Sequence, residues 1–460
     1  MSYPFDRARR ASLRAAARRR SPLAALALLA GLSPAAHALP SFARQTGQEC
    51  AACHVGAYGP QLTPYGVAFK IGGYTDGNGK EGHVPLSVML VGAITHTGKD
   101  QAEPPTAHTH RNDNLTIDEV STFLAGRLTD QLGAFIQATY DGVAQRSALD
   151  HADVRFAQTT RLAGKETVLG ISVNNNPGVQ DPFNTMPVWG FPYTGPAVGF
   201  GGGDAATLIN GGLEHRVLGV SAYAFWDNSL YGELGTYRAL SPSMQSMTGQ
   251  GRDDDMGRLG GDTAYWRLAW MRDARRQAFQ AGLFGLRTSI QPDRLASGPR
   301  DHYDDLGVDA SYQFLGTRKH VATVATSYIR ERQTSDALFA SGDAASRKAT
   351  LNEFRLNASY YYDQTWGISA GRFLTVGKRD PLRYADGYAD GSPNTSGYVL
   401  QADWTPWGKE DSWAAPWANL RLGLQYTMFD RFNGAKRNYD GSGRDASDNN
   451  TLFLFAWTSF

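Results

Sequence analysis

The sequence predicts an all-β fold: a transmembrane antiparallel β-barrel of about sixteen strands preceded by a short N-terminal segment. Three observations lead there. From Leu86 to the last residue, stretches of about ten residues alternate apolar with small or polar side chains. The connections between them run mostly long, short, long, short. The composition, with 51 glycines, 11% aromatic and only 19% charged residues, suits such strands. Mean hydropathy is −0.39 and no run of 18 or more apolar residues occurs, so membrane helices are excluded. With 42% apolar residues and a formal net charge of +1, intrinsic disorder is excluded too, and two cysteines cannot staple a chain of 460 residues.

The first element is a targeting segment, residues 1–38. Arg7, Arg9, Arg10, Arg14 and Arg18 to Arg20 form a basic region, Leu23 to Leu32 a short apolar core, and Ala36-His37-Ala38 a small-x-small cleavage site. That core is too short to span a bilayer, which points to general secretion. The segment carries seven Arg and one Asp, leaving a mature chain with 38 basic and 43 acidic residues. A net charge of −5 gives no sign of nucleic-acid binding.

The second element, residues 39–85, contains Cys50-Ala51-Ala52-Cys53-His54, the C-x-x-C-H signature of c-type haem attachment. Two thiols add across the two vinyl groups of one haem, and the adjacent imidazole reaches the iron from the same side. Cys50 and Cys53 are therefore expected to hold haem c, with His54 as proximal ligand. The competing readings fit less well. A thioredoxin-like pair needs a βαβ setting, a zinc site needs a second ligand pair, and a disulfide between such close neighbours is strained. Fewer than 50 residues cannot bury a haem alone. Phe42, Tyr58, Leu62, Tyr65, Phe69, Ile71 and Tyr74 supply one apolar wall, and the rest must come from the following chain.

The third element, residues 86–460, is the barrel. Strands are expected near 86–95, 115–128, 132–141, 150–162, 166–174, 213–226, 229–239, 264–273, 276–289, 303–315, 319–331, 350–362, 365–377, 395–405, 417–430 and 450–460. The stretch from Leu306 to Phe314 shows the alternation best: Leu306, Val308, Ala310, Tyr312 and Phe314 share one face, Gly307, Asp309, Ser311 and Gln313 the other. Thr129-Asp130-Gln131, Asp227-Asn228, Gly316-Thr317-Arg318 and Asp363-Gln364 are short turns; 96–114, 175–212, 240–263 and 431–449 are long loops. Soluble β-sandwiches alternate as well, and the loop asymmetry decides for a barrel in the bacterial outer membrane. The connection at 406–416 is long for its class; Trp404, Trp407, Trp413 and Trp417 fit an interfacial girdle in outer-membrane lipid. An even strand number puts both barrel ends in the periplasm and the long loops outside the cell. The haem segment then starts at the periplasmic mouth, and its small size favours a plug in the lumen.

Pro40-Ser41-Phe42-Ala43-Arg44-Gln45-Thr46-Gly47 ahead of the haem motif, with Leu62-Thr63-Pro64-Tyr65-Gly66 and Phe69-Lys70-Ile71-Gly72-Gly73-Tyr74 after it, resembles the fused monohaem cytochrome c–porins of the bacterial outer membrane, whose best-known members are iron oxidases. The specific match covers the N-terminal motif; the barrel is similar only in layout and length. The resemblance implies that electrons pass from an extracellular donor, Fe(II) or another reduced species, through one haem to a periplasmic c-type cytochrome or other carrier. It assigns Cys50, Cys53 and His54 and identifies no distal ligand.

One C-x-x-C-H means one-electron traffic. For the sixth iron position, His83 is favoured because it lies in the haem segment; Met89, His96, Met186, Met244 and Met247 are the other choices. Asp253-Asp254-Asp255 and His108-Thr109-His110 are the loop clusters with metal-binding chemistry. The Pro- and aromatic-rich loop from Asn174 through Tyr193 is expected to fold inward. Two other function classes share these features: a solute porin with a structural haem plug, and a haem-dependent periplasmic redox enzyme with an open distal position.

Overall fold

A computed structural model describes residues 39–80, 84–250, 257–261, 263–295, 297–385, 387–409 and 411–460. Residues 1–38, read above as a targeting segment, His83 and Asp253 to Asp255 lie outside the described residues.

Sixteen long strands close into one antiparallel ring. They are β1 (Leu86–Thr97), β2 (Asn114–Arg127), β3 (Leu132–Asp141), β4 (Arg146–Leu162), β5 (Lys165–Asn174), β6 (Val217–Trp226), β7 (Leu230–Ala239) and β8 (Ala264–Asp273). The second half comprises β9 (Gln277–Gln291), β10 (Asp301–Phe314), β11 (His320–Ser335), β12 (Lys348–Tyr362), β13 (Trp366–Gly377), β14 (Thr395–Trp404), β15 (Asn419–Arg431) and β16 (Thr451–Ser459). Each pairs with its neighbours in sequence, and β16 returns to β1 in the register Met89↔Ser459 to Thr97↔Thr451. Closure leaves no edge strand among the described residues. An added two-residue strand, Arg258–Leu259, extends the sheet at the far end of β9.

Alternation places polar side chains inside and apolar ones outside. On β10, Leu306 and Val308 are exposed whereas Asp309 and Gln313 are buried. The same inversion holds around the ring: Leu169, Ile171, Leu283, Leu400, Leu424 and Leu454 face outward, and Arg155, Glu233, Arg267, Glu331 and Arg421 are buried within. A continuous outward apolar face is stable against hydrocarbon rather than water. Short connections share one end of the barrel with the C-terminus and with the start of β1. There, Ala163-Gly164, Asp227-Asn228 and Asp363-Gln364 all have positive φ, the backbone of two-residue hairpin turns. The opposite end carries the long loops, with one short exception at 142–145.

The N-terminal segment lies inside the ring at the short-turn end. It comprises α1 (Pro40–Thr46), the single turn α2 (Cys50–Cys53) and α3 (Pro64–Ile71), capped by Thr63 Oγ1 accepting from Gly66 N. Its partners come from all round the wall: Tyr58 donates to Ser459 at 3.1 Å, Gln61 to Thr323 at 3.0 Å, and Tyr74 to Asp153 at 2.7 Å. Arg421 donates to the Gly56 carbonyl at 3.0 Å, and Tyr223 to that of Ile71 at 2.7 Å. Gly56 has φ of 71° and packs against the Tyr361 ring where a Cβ would overlap it, so only glycine fits.

Two connections serve this seating. The long turn at 405–418 folds beneath the segment, with Gly408 against Ala57 and Asn419 donating to the Ala57 carbonyl at 2.7 Å. Trp404 stacks on Trp366, while Trp413 and Trp417 are exposed and Trp407 packs on Ala414 and Ala418. The loop between β5 and β6 enters the lumen from the other end, with Asn174 to Phe183 buried throughout. Asp181 on this loop pairs with Arg267 at 3.0 Å.

Candidate functional site

Cys50 and Cys53 stand three residues apart on one helical turn, the spacing that presents both side chains on one face. They are not disulfide-bonded. Burial pushes the Cys53 thiol up to about 12, and Cys50 and Asp76 add to the rise. A thiol held so far above neutrality is a poor thiolate, unlike the depressed thiols of dithiol oxidoreductases.

His54 ends the turn. Burial pulls its imidazole down to about 4, against a hydrogen bond that the ring donates to the Gly59 backbone and with Arg421 adding to the drop. The ring is therefore neutral at physiological pH, the form that ligates metals. Its Nδ1 is buried with no hydrogen-bond partner. An orphaned buried polar atom costs about 1–3 kcal/mol and calls for a ligand.

The turn borders a cavity of about 310 Å³ inside the barrel. Phe42, Tyr58, Leu62, Phe69 and Tyr74 line it from the segment, with Cys53 and His54. Phe123, Phe135 and Trp457 line it from the strands, and Trp189 and Tyr193 from the inner loop. A chamber walled largely by aromatic and apolar side chains suits a flat hydrophobic cofactor, and its polar groups, Lys70, Asn184, Glu119, Gln137, Asp150 and His151, lie on its other sides. Two expected wall residues sit elsewhere. Tyr65 is at the surface, bonded to Asp76 at 2.8 Å, because it falls on the outer side of α3. Ile71 packs instead with Tyr223, Phe225 and Tyr231.

The other sequence candidates separate. Met89 lines the chamber. His96 is exposed and pairs with Asp113 at 2.7 Å, and Met186 is buried in a separate core with Ile209 and Tyr237. Met244, Met247, His108 and His110 are at the surface. Sequence reasoning passed over Glu119, Gln137, Asp150 and His151, which line the same chamber from β2, β3 and β4. Inward alternation at His151 was the available signal.

No family model and no curated protein matches the chain. Solved structures similar in fold include OmpT, an outer membrane protein of Vibrio cholerae, at 10% identity over 82% of this chain and 96% of that one, with a TM-score of 0.41. The anion-selective porin from Comamonas acidovorans is similar at 12% identity over 81% and 98%, with a TM-score of 0.42. The outer membrane channel DcaP of Acinetobacter baumannii gives 12% identity over 82% and 96%, with a TM-score of 0.44.

Proposed function

We propose that this protein is an outer-membrane cytochrome–porin that takes electrons from an extracellular donor, Fe(II) in the first instance, and delivers them through one covalent haem c to a periplasmic carrier. The observation that carries this reading is a C-x-x-C-H turn at the wall of an aromatic chamber inside a closed barrel, with an unpartnered imidazole nitrogen. Cys50 and Cys53 would hold the haem covalently and His54 would ligate its iron. When bound, the group supplies a one-electron couple. The chain's own residues exclude water from the chamber through Phe42, Phe69, Phe135 and Trp457, and Arg421 fixes the turn through the Gly56 carbonyl. The barrel provides passage through the outer membrane, with its short-turn end facing the periplasm.

Anaerobic stopped-flow mixing of the purified haem protein with Fe(II) tests the function. Reduction of the haem at rates that saturate with Fe(II) is expected. Reduction by dithionite alone, accompanied by solute conductance, moves the assignment to a porin with a structural haem. A high-spin spectrum that responds to peroxide moves it to a haem enzyme.

A further inference from the structure

On the long-loop side of the chamber, one group of three metal-ligating side chains gathers among the described residues: Asp150, His151 and His215, with one donor atom from each lying within 4.8 Å of the others. We propose that these three side chains form a divalent transition-metal site, and that on the reading above it is where Fe(II) docks.

The backbone is shaped to bring them together. In the β3–β4 ladder His151 faces Gln137 and Leu149 faces Ala138, so Asp150 is an inserted residue. Such a bulge turns two consecutive side chains inward where a regular strand would send one out. Asn175 replaces the lost ladder bonds, donating to the Asp150 carbonyl at 2.9 Å and accepting from Ala152 N at 2.8 Å. His215 closes the group from the loop before β6 with φ of 63°, a conformation that costs a non-glycine residue energy and is enriched at functional sites. Its Nε2 lies 2.6 Å from Asp150 Oδ1, and His151 Nε2 lies 3.8 Å from the same oxygen. Thr139 donates to the second Asp150 oxygen at 3.0 Å, the outer-sphere support common to ligating carboxylates.

A second cavity of about 310 Å³ adjoins the group and is acidic. Asp118, Glu119, Asp141, Asp150 and His215 line it, with Arg146 as its base. A matching bulge on β2 helps build it: Glu119 faces Val91 and Ile117 faces Gly92, which leaves Asp118 inserted. Asp118 Oδ2 is buried without a hydrogen-bond partner, as is His151 Nδ1. Glu119 and Asp150 belong to the walls of both cavities, and His151 to that of the aromatic chamber. The three ligands therefore stand between an acidic vestibule and the chamber beside His54. Two imidazoles and one carboxylate with further positions open are the donor set that suits Fe(II).

Calorimetric titration of the full-length, detergent-solubilised protein with Co(II) under anaerobic conditions tests the site without redox turnover. One saturable equivalent is expected. Asp150→Asn and His215→Ala should each weaken it tenfold or more, while His320→Ala, bonded to Tyr360 on the outer surface, should leave it unchanged. His215 lies outside the strands, so its variant carries the test if Asp150→Asn fails to assemble. No saturable Co(II) binding, or binding unchanged in His215→Ala, overturns the proposal. With binding in hand, Fe(II)-driven haem reduction should slow at least tenfold in His215→Ala while dithionite reduction stays the same. Wild-type Co(II) binding without any reduction by Fe(II) retains the metal site and rejects the iron-oxidising function.

Discussion

Lys70 Nζ, at the end of α3 and buried, donates to Asn184 Oδ1 of the inner loop at 2.8 Å. The same ammonium donates to the Val179 and Asp181 carbonyls at 2.8 Å each, and it stands 5.1 Å from the centre of the Trp189 ring. One buried amine, which burial pulls down to about 7, thus ties the segment entering from the short-turn end to the loop entering from the other.

Lys70→Met keeps much of the volume and removes all three donors. Leaving buried acceptors unpaired costs about 2–3 kcal/mol. Amides of residues 179–184 should then exchange about thirtyfold faster or more, measured by hydrogen exchange with mass spectrometry. Unchanged protection there would show that the loop holds itself.

Arg267 does the equivalent work against the wall. Its Nε lies 3.0 Å from Asp181 on the loop and its Nη2 2.7 Å from Asp309 on β10, with all three side chains fully buried. Arg267→Ala strands two carboxylates and should destabilise the arrangement by about 3–5 kcal/mol. Single-channel recordings should show a larger, flickering conductance as the loop leaves its seat. A wild-type conductance with wild-type thermal stability would refute that role.

The His54 imidazole gives a pH dependence with a definite sign. Burial lowers it to about 4 in the folded protein, against about 6.5 when unfolded. Between those values the unfolded chain binds more protons, so stability rises with pH across the window and is lost on acidification. In a haem-free Cys50→Ala/Cys53→Ala protein, the segment should lose roughly 2–3 kcal/mol between pH 6.5 and 4. Replacing His54 with Leu in that background should flatten the profile, read from Trp fluorescence against denaturant. An unaltered profile would place the titration elsewhere.

The strands were legible because lipid outside and polar lumen inside impose a period of two on the sequence, and each expected strand lies within a few residues of an observed one. Asp227-Asn228 and Asp363-Gln364 were legible as short turns, and both pairs have positive φ. Half of the chamber wall was legible too, since Phe42, Tyr58, Leu62, Phe69 and Tyr74 sit within the segment that carries the cysteines. Asp150 was not. Regular alternation places it outside, and only the bulge opposite Gln137 and Ala138 reverses it. His215 was equally hidden, because the long loop 175–216 brings it to β4 and no local pattern records that return. The connection at 406–416 stood out by length, but its reason, the packing of Gly408 on Ala57, is a contact between residues hundreds of positions apart.

The proposed function depends on one covalent haem held by Cys50, Cys53 and His54 inside this barrel. Intact-protein mass spectrometry of the full 460-residue chain, expressed in a host that matures c-type cytochromes, is the decisive measurement. A mass one haem above that of the polypeptide is expected, abolished in Cys50→Ala/Cys53→Ala. A protein with the bare polypeptide mass, its barrel assembled and both thiols open to alkylation after denaturation, would contradict it.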